Sequence, residues 1–187
     1  GMLDLHTGVL HEPNQKYLAT KMANVAYDEK AKCPEWEEVV ARKLRNNVRA
    51  FQQMCGLLLT GETPHKVLYL LQGEPNTGKT MMLTLFHDML GGYARTMNAG
   101  FLMQSLRGVN PWDLAELAGR RFVYIDETNE AAKFNLELLK KLTSGPNVRI
   151  DAAFKLEKSF EFLCQFTLVV GTNHRPQLTS DDFAVWK

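Results

Sequence analysis

Short apolar runs alternate along this chain with stretches in which apolar residues recur at helical spacing. Val67-Leu68-Tyr69-Leu70-Leu71-Gln72, Arg121-Phe122-Val123-Tyr124-Ile125 and Phe166-Thr167-Leu168-Val169-Val170-Gly171 are apolar nearly throughout, the pattern of strands buried on both faces. Tyr93 to Ala99 offers a further strand after Gly91-Gly92 ends the element before it. Between these runs, Met81-Met82-Leu83-Thr84-Leu85-Phe86 reads as a buried helix, and Leu136 to Leu142 reads as another. Pro111 opens a short helix through Ala118 that Gly119 closes. Strands alternating with helices predict an α/β fold, a three-layer core around a mainly parallel sheet.

The first third of the chain has a different pattern. Leu3-Asp4-Leu5-His6-Thr7-Gly8-Val9-Leu10 alternates around a Thr-Gly turn and predicts a short β-hairpin. From Glu35 to Met54 the spacing of Trp36, Val39, Val40, Leu44, Val48 and Phe51 predicts one helix, with Pro34 at its first position. Its opposite face carries Arg42, Lys43, Arg45 and Arg49, which reads either as a solvated face or as a nucleic-acid contact. Gly61-Glu62-Thr63-Pro64 breaks the pattern, so residues 1–62 are expected to form a hairpin-plus-helical lead-in and residues 63–187 the core. There is no internal repeat and no low-complexity segment.

Composition changes this picture little. A chain of 187 residues with 45% hydrophobic and 23% charged content is ordinary globular usage, and a net charge of +1 announces no particular partner. Cys33, Cys55 and Cys164 are odd in number and widely spaced, which argues against a disulfide framework or a zinc site and for reduced thiols in the cytoplasm. No apolar stretch approaches the ~20 residues of a membrane span, so no membrane partner is expected. Gly1-Met2 and the stop at Trp186-Lys187 read as the ends of a fragment.

The chemistry concentrates at the ends of the apolar runs. Gly73-Glu74-Pro75-Asn76-Thr77-Gly78-Lys79-Thr80 follows one run directly and opens the next helix, which is where a phosphate-binding loop belongs. Gly73, Glu74, Pro75, Asn76, Thr77, Gly78, Lys79, Thr80 and Met81 are therefore the candidate nucleotide-binding residues. Lys79 is expected on the β and γ phosphates of ATP, and Thr80 on Mg²⁺. Asp126 and Glu127 end another run. Beside a phosphate loop, Asp126 suits the metal and Glu127 suits the attacking water; otherwise adjacent acids there form a solvated turn or a helix cap. Asn173 ends a third run and can hold that water or sense the γ-phosphate, or else simply turn the chain before Arg175-Pro176. Lys79, Asp126, Glu127 and Asn173 are the candidate catalytic residues, and Thr80 and Asp126 the candidate metal ligands.

Taken together, several strings form a family resemblance. They are Leu70-Leu71-Gln72-Gly73 running into Asn76-Thr77-Gly78-Lys79-Thr80, then Asp126-Glu127-Thr128, Leu139-Lys140-Lys141-Leu142-Thr143 and Gly171-Thr172-Asn173-His174-Arg175-Pro176. In order and spacing the chain resembles the superfamily III helicase domain of phage and plasmid primase-helicases. Tyr27-Asp28, Ala31, Cys33-Pro34 with Trp36, and Leu59-Thr60-Gly61 are similar to the lead-in of that family. The resemblance implies an AAA+ fold assembled as a ring, usually of six subunits, that threads single-stranded DNA through its centre with ATP hydrolysis, and a primase module upstream. It implies a DNA-contacting hairpin between Leu142 and Phe162, with Lys155 and Lys158 either touching phosphates or merely solubilising the hairpin. Relatives commonly show Gly-Gly-Asp where this chain has Ser144-Gly145-Pro146, and the basic position before the hairpin falls on Arg149 or on Ala153. An arginine acting on the neighbouring subunit follows a Trp like Trp186, which puts it beyond Lys187.

Two other classes compete with a motor. One is a nucleotide-dependent switch or phosphotransferase, although no arginine-rich lid segment follows the loop. The other is an interaction module with a structural nucleotide, for which the catalytic acid and Asn173 would be superfluous.

Overall fold

The computed structural model describes residues 1–103, 108–126, 133–154 and 158–174. The N-terminal hairpin pairs β1 (Met2–Leu3) with β2 (Leu10–His11), Met2 opposite His11. Its turn is held by the Asp4 carboxylate, which accepts from the His6 N–H at 2.8 Å, and Gly8 takes φ 73°.

The expected single helix is two. α1 (Pro34–Leu44) ends where Arg45 adopts φ 48°, a short 3-10 turn spans Arg45–Asn47, and α2 (Val48–Thr60) follows. The apolar spacing runs through the break unaltered, so periodicity could not reveal it; the reason is tertiary. Trp36 and Phe51 both pack on Phe86, at 5.9 and 5.8 Å between ring centroids, and lie 6.4 Å from each other. In a straight helix, fifteen residues of separation would hold them ~22 Å apart. The chain must fold back for both rings to reach one partner. α2 runs past the expected Met54 and stops at Gly61, whose left-handed φ of 72° and N–H bond to the Leu57 carbonyl close the helix.

The main sheet contains β3 (Tyr69–Gln72), β4 (Ala94–Met97), β5 (Phe122–Ile125) and β8 (Thr167–Thr172). Its order is β3-β8-β5-β4 and every pairing is parallel, with Gln72 beside Thr172 and Ile125 beside Val170. The helix α3 (Lys79–Leu90) follows β3. Alternation along the strands sends side chains to two clusters. Phe122, Tyr124 and Val169 pack against Met82, Leu83 and Phe86 of α3 and against Phe51, Met54 and Leu58 of α2. Val123, Ile125, Leu168 and Val170 pack on the other face with residues of α4 (Pro111–Ala115) and α5 (Leu136–Leu142). Three layers result, α/β with a mainly parallel sheet, as the alternating pattern predicts. One cluster therefore joins residues from both sides of Glu62.

A second hairpin, β6 (Arg149–Ala153) with β7 (Ser159–Leu163), lies against α4 and contributes Ile150 and Ala152 to the core. Residues 21–24 form a strap with no periodic pattern. It is tied to the end of α3 by Asn24 N–H to the Met89 carbonyl at 2.9 Å and by Gly92 N–H to the Met22 carbonyl at 3.0 Å. Among the described residues, no helix is long and apolar enough to cross a membrane.

Candidate active site

Parallel strands place their carboxyl ends on one rim, and the order β3-β8-β5 decides which ends are neighbours. Because β8 is inserted between β3 and β5, Asn173 emerges between the loop that follows β3 and Asp126 that follows β5. A cleft of about 380 Å³ opens there. It is lined by Pro75 through Thr80 on one side and by Asp126, Gly171, Thr172 and Asn173 on the other.

The loop is anchored to the sheet by Gly73 N–H donating to the Thr172 carbonyl at 3.2 Å. Asn76 at φ 61° and Gly78 at φ 92° curl the chain, and the Thr77 hydroxyl donates to the Glu74 carbonyl at 2.8 Å. A glycine at position 78 is required by that φ, since an L side chain is strained there. Lys79 reaches back across the loop, its Nζ donating to the carbonyls of Gly73 at 2.7 Å and Glu74 at 2.8 Å. α3 then starts at Lys79 with no side-chain cap and no acid in its first turn. Its positive end therefore faces the cleft with no acid in its own first turn, an environment that favours an anion.

On the opposite wall, Thr172 is buried and its hydroxyl donates to the His174 carbonyl at 2.8 Å, turning the chain so that Asn173 lines the cleft. Gly171 is a site residue that sequence reasoning missed. A Cβ on it would lie 2.7 Å from Asp126 Oδ1 and 2.9 Å from Leu83 Cδ1, so the Asp126 carboxylate occupies the space that any side chain here would need. The signal was present as a lone glycine closing a Val-Val strand, a mark of close approach.

The structure thus gathers Lys79, Thr80, Asp126 and Asn173 around one cleft. Gly73, Glu74 and Met81 are not among the cleft's lining residues: the carbonyls of Gly73 and Glu74 accept from the Lys79 ammonium, and Met81 is 57% exposed. Glu127, Lys155 and Trp186 lie outside the described residues. Arg149 and Lys158 are both exposed but sit at opposite ends of the second hairpin. Arg149 pairs with Leu163 at its base, and Lys158 precedes Ser159, which pairs with Ala153. Four strand rises, ~14 Å, separate these ends, and Ala153 rather than Arg149 is the position near Lys158. Among the described residues no three His, Cys, Asp or Glu side chains cluster as a metal cage. A hydroxyl and one carboxylate beside an anion cradle match the sparse protein ligation of Mg²⁺, which completes its shell with phosphate and water.

Residues 71–184 match the profile of a family of unknown function, DUF5906. The chain belongs to that family. Residues 1–45 of this DUF5906 chain additionally match a "D5 N terminal like" profile. Among curated proteins, it is 31% identical over 143 residues to "Putative helicase 022R" of Frog virus 3 (isolate Goorha), covering 74% of this chain and 15% of that protein. It is 25% identical over 149 residues to "Putative helicase L207/L206" of Acanthamoeba polyphaga mimivirus, covering 78% and 15%. The DUF5906 chain thus spans about 15% of the length of these relatives. Among solved structures, the apo A form of the NrS-1 C-terminal region superposes with a TM-score of 0.61 at 13% identity, over 79% of this chain and 34% of that one. The apo NrS-1 C-terminal region 305–718 gives 0.58 at 12% identity, over 78% and 35%. At such identity the likeness speaks for the fold.

Proposed function

We propose that residues 63–187 are the ATPase core of a DNA helicase of the superfamily III, AAA+ type, docked on a lead-in of residues 1–62. In the full protein it couples ATP hydrolysis to movement along single-stranded DNA as a ring, beside a primase module. The observation that carries this reading is the convergence of Lys79, Thr80, Asp126 and Asn173 on one 380 Å³ cleft at the carboxyl ends of three adjacent parallel strands. Helicase names on two viral relatives support the same direction.

Each group has a task in that reading. A triphosphate entering the loop draws the Lys79 ammonium from the Gly73 and Glu74 carbonyls onto the phosphates, and the start of α3 adds its dipole. Thr80 and Asp126 would hold Mg²⁺, which would supply charge neutralisation. Glu127 orients the attacking water, and the Asn173 amide donates to that water or to the γ-phosphate.

The test is nucleotide binding and turnover, with and without single-stranded DNA. Lys79→Ala should lose ATP binding, while Glu127→Gln should bind normally and lose hydrolysis. Hydrolysis indifferent to DNA in the full-length protein would favour a nucleotide-dependent switch, and full turnover by Glu127→Gln would refute the role given to that acid.

A further inference from the structure

Residues 39–61 contain Arg42, Lys43, Arg45 and Arg49 and no acidic residue, although the chain as a whole carries only +1. The break between α1 and α2 gathers these cations at one bend. All four are exposed, and among the described residues none of their side chains takes part in an ion pair or a side-chain hydrogen bond. The bend forms a shallow, open hollow of about 600 Å³ lined by Arg42, Lys43, Leu44, Arg45, Asn46 and Asn47.

Helix electrostatics explain only part of the cluster. Arg42 and Lys43 stand in the last turn of α1, where cations complement the carbonyl end, and Glu38 lies one turn before Arg42. Arg45 lies past that end, at a φ of 48° that non-glycine residues rarely adopt. Arg49 sits in the first turn of α2, where the dipole disfavours a cation and no acid offsets it. Asn47, in the N-cap position of α2, makes no capping bond with its side chain. Two cations are thus placed against local preference, beside two side-chain amides that can donate hydrogen bonds outward.

We propose that this bend is a second nucleic-acid contact, seizing the phosphate backbone of a strand without reading its bases. Phosphate recognition needs clustered cations and neutral donors and no base-reading surface, which is what Arg42, Lys43, Arg45, Arg49, Asn46 and Asn47 supply. The contact is independent of the triphosphate cleft, and it gives the lead-in a role in holding DNA.

The experiment is binding of labelled oligothymidine by fluorescence anisotropy across a salt series, with no nucleotide added, so a failed ATPase reading leaves it interpretable. The combined variant Arg42→Ala, Lys43→Ala, Arg45→Ala, Arg49→Ala should weaken binding at least ~10-fold at about 0.1 M salt and flatten the log–log salt slope by up to ~3. A companion with lysine at all three arginine positions should keep most of the slope. Equal melting temperatures, and equal sedimentation at the concentrations used, establish that the variants are folded and in the same assembly state. A duplex tested alongside shows which strand form the bend prefers. The proposal is overturned if the unaltered chain does not bind DNA, or if the alanine variant binds with an unchanged slope. It is also overturned if the cations govern only self-association, through the acidic α1 start (Glu35, Glu37) of another copy.

Discussion

Gly171→Ala tests whether the cleft works through the placement of Asp126. The backbone there is extended and accepts alanine, so the perturbation is one methyl group directed at two atoms. Its distance to Asp126 Oδ1 would be 2.7 Å and to Leu83 Cδ1 2.9 Å, so reaching ordinary contact requires movements of about 0.7 and 0.5 Å. Leu83 is 2% exposed and is held within the cluster beneath α3, so it has little room to retreat. Asp126 stands at the cleft rim and yields more readily. Overpacking of this kind costs ~1–3 kcal/mol of stability. A shift of the carboxylate by most of an ångström should lower kcat ~10- to 100-fold, since misplacement on that scale has such effects on reacting geometry. ATP binding through the loop should change little. The assays are steady-state ATPase activity against Mg²⁺ concentration, equilibrium binding of a labelled ATP analogue and thermal melting. The expected signature is a lower kcat with a raised Mg²⁺ requirement and near-normal nucleotide affinity. Wild-type turnover at wild-type Mg²⁺ dependence would refute the argument, and so would a loss of nucleotide affinity equal to the loss of kcat.

Three further expectations concern stability and reactivity. Phe86 is 7% exposed and meets Trp36, Phe51 and Phe122, so Phe86→Ala should cost ~3–5 kcal/mol in urea unfolding and free α1 from α2; a loss under 1 kcal/mol would contradict the shared-partner account of the helix break. Burial pushes the thiols of Cys55 and Cys164 up to about 11 from 9.0, so at pH 8 iodoacetamide should label exposed Cys33 and spare the other two until the protein unfolds. Because the folded state keeps these protons, their contribution to stability is complete below about pH 9 and is lost towards pH 11. Denaturation at both ends of that window checks the sign, and a rise in stability across it would overturn the assignment.

What could be read from the residues divides along physical lines. The glycine-bounded turn from Gly73 to Thr80 was legible as a turn because its residues are local in sequence, and α3 begins at Lys79, directly after it. The strands ending in Asp126 and Asn173 were legible because burial on both faces leaves an uninterrupted apolar run. The fold-back at Arg45 was not, since its cause is Phe86, far along the chain. Neither was the strap at residues 21–24, whose bonds are made by backbone and carry no side-chain pattern. The need for glycine at 171 lies in the third dimension, where Asp126 crosses β8.

The position of β8 also sets the order in which this protein can come into being. Tyr69 pairs with Val169, roughly a hundred residues later, and Tyr124 pairs with the same residue. Until β8 arrives, β3 has no strand neighbour among the described residues and the sheet is split where the cleft will form. The loop from Gly73 to Thr80 leaves the ribosome early, but the opposite wall of its cleft is completed only with Gly171 and Asn173. Synthesis that stops short of residue 172 leaves two apolar strand edges open to other chains, so such a product should aggregate rather than persist as a partly active domain.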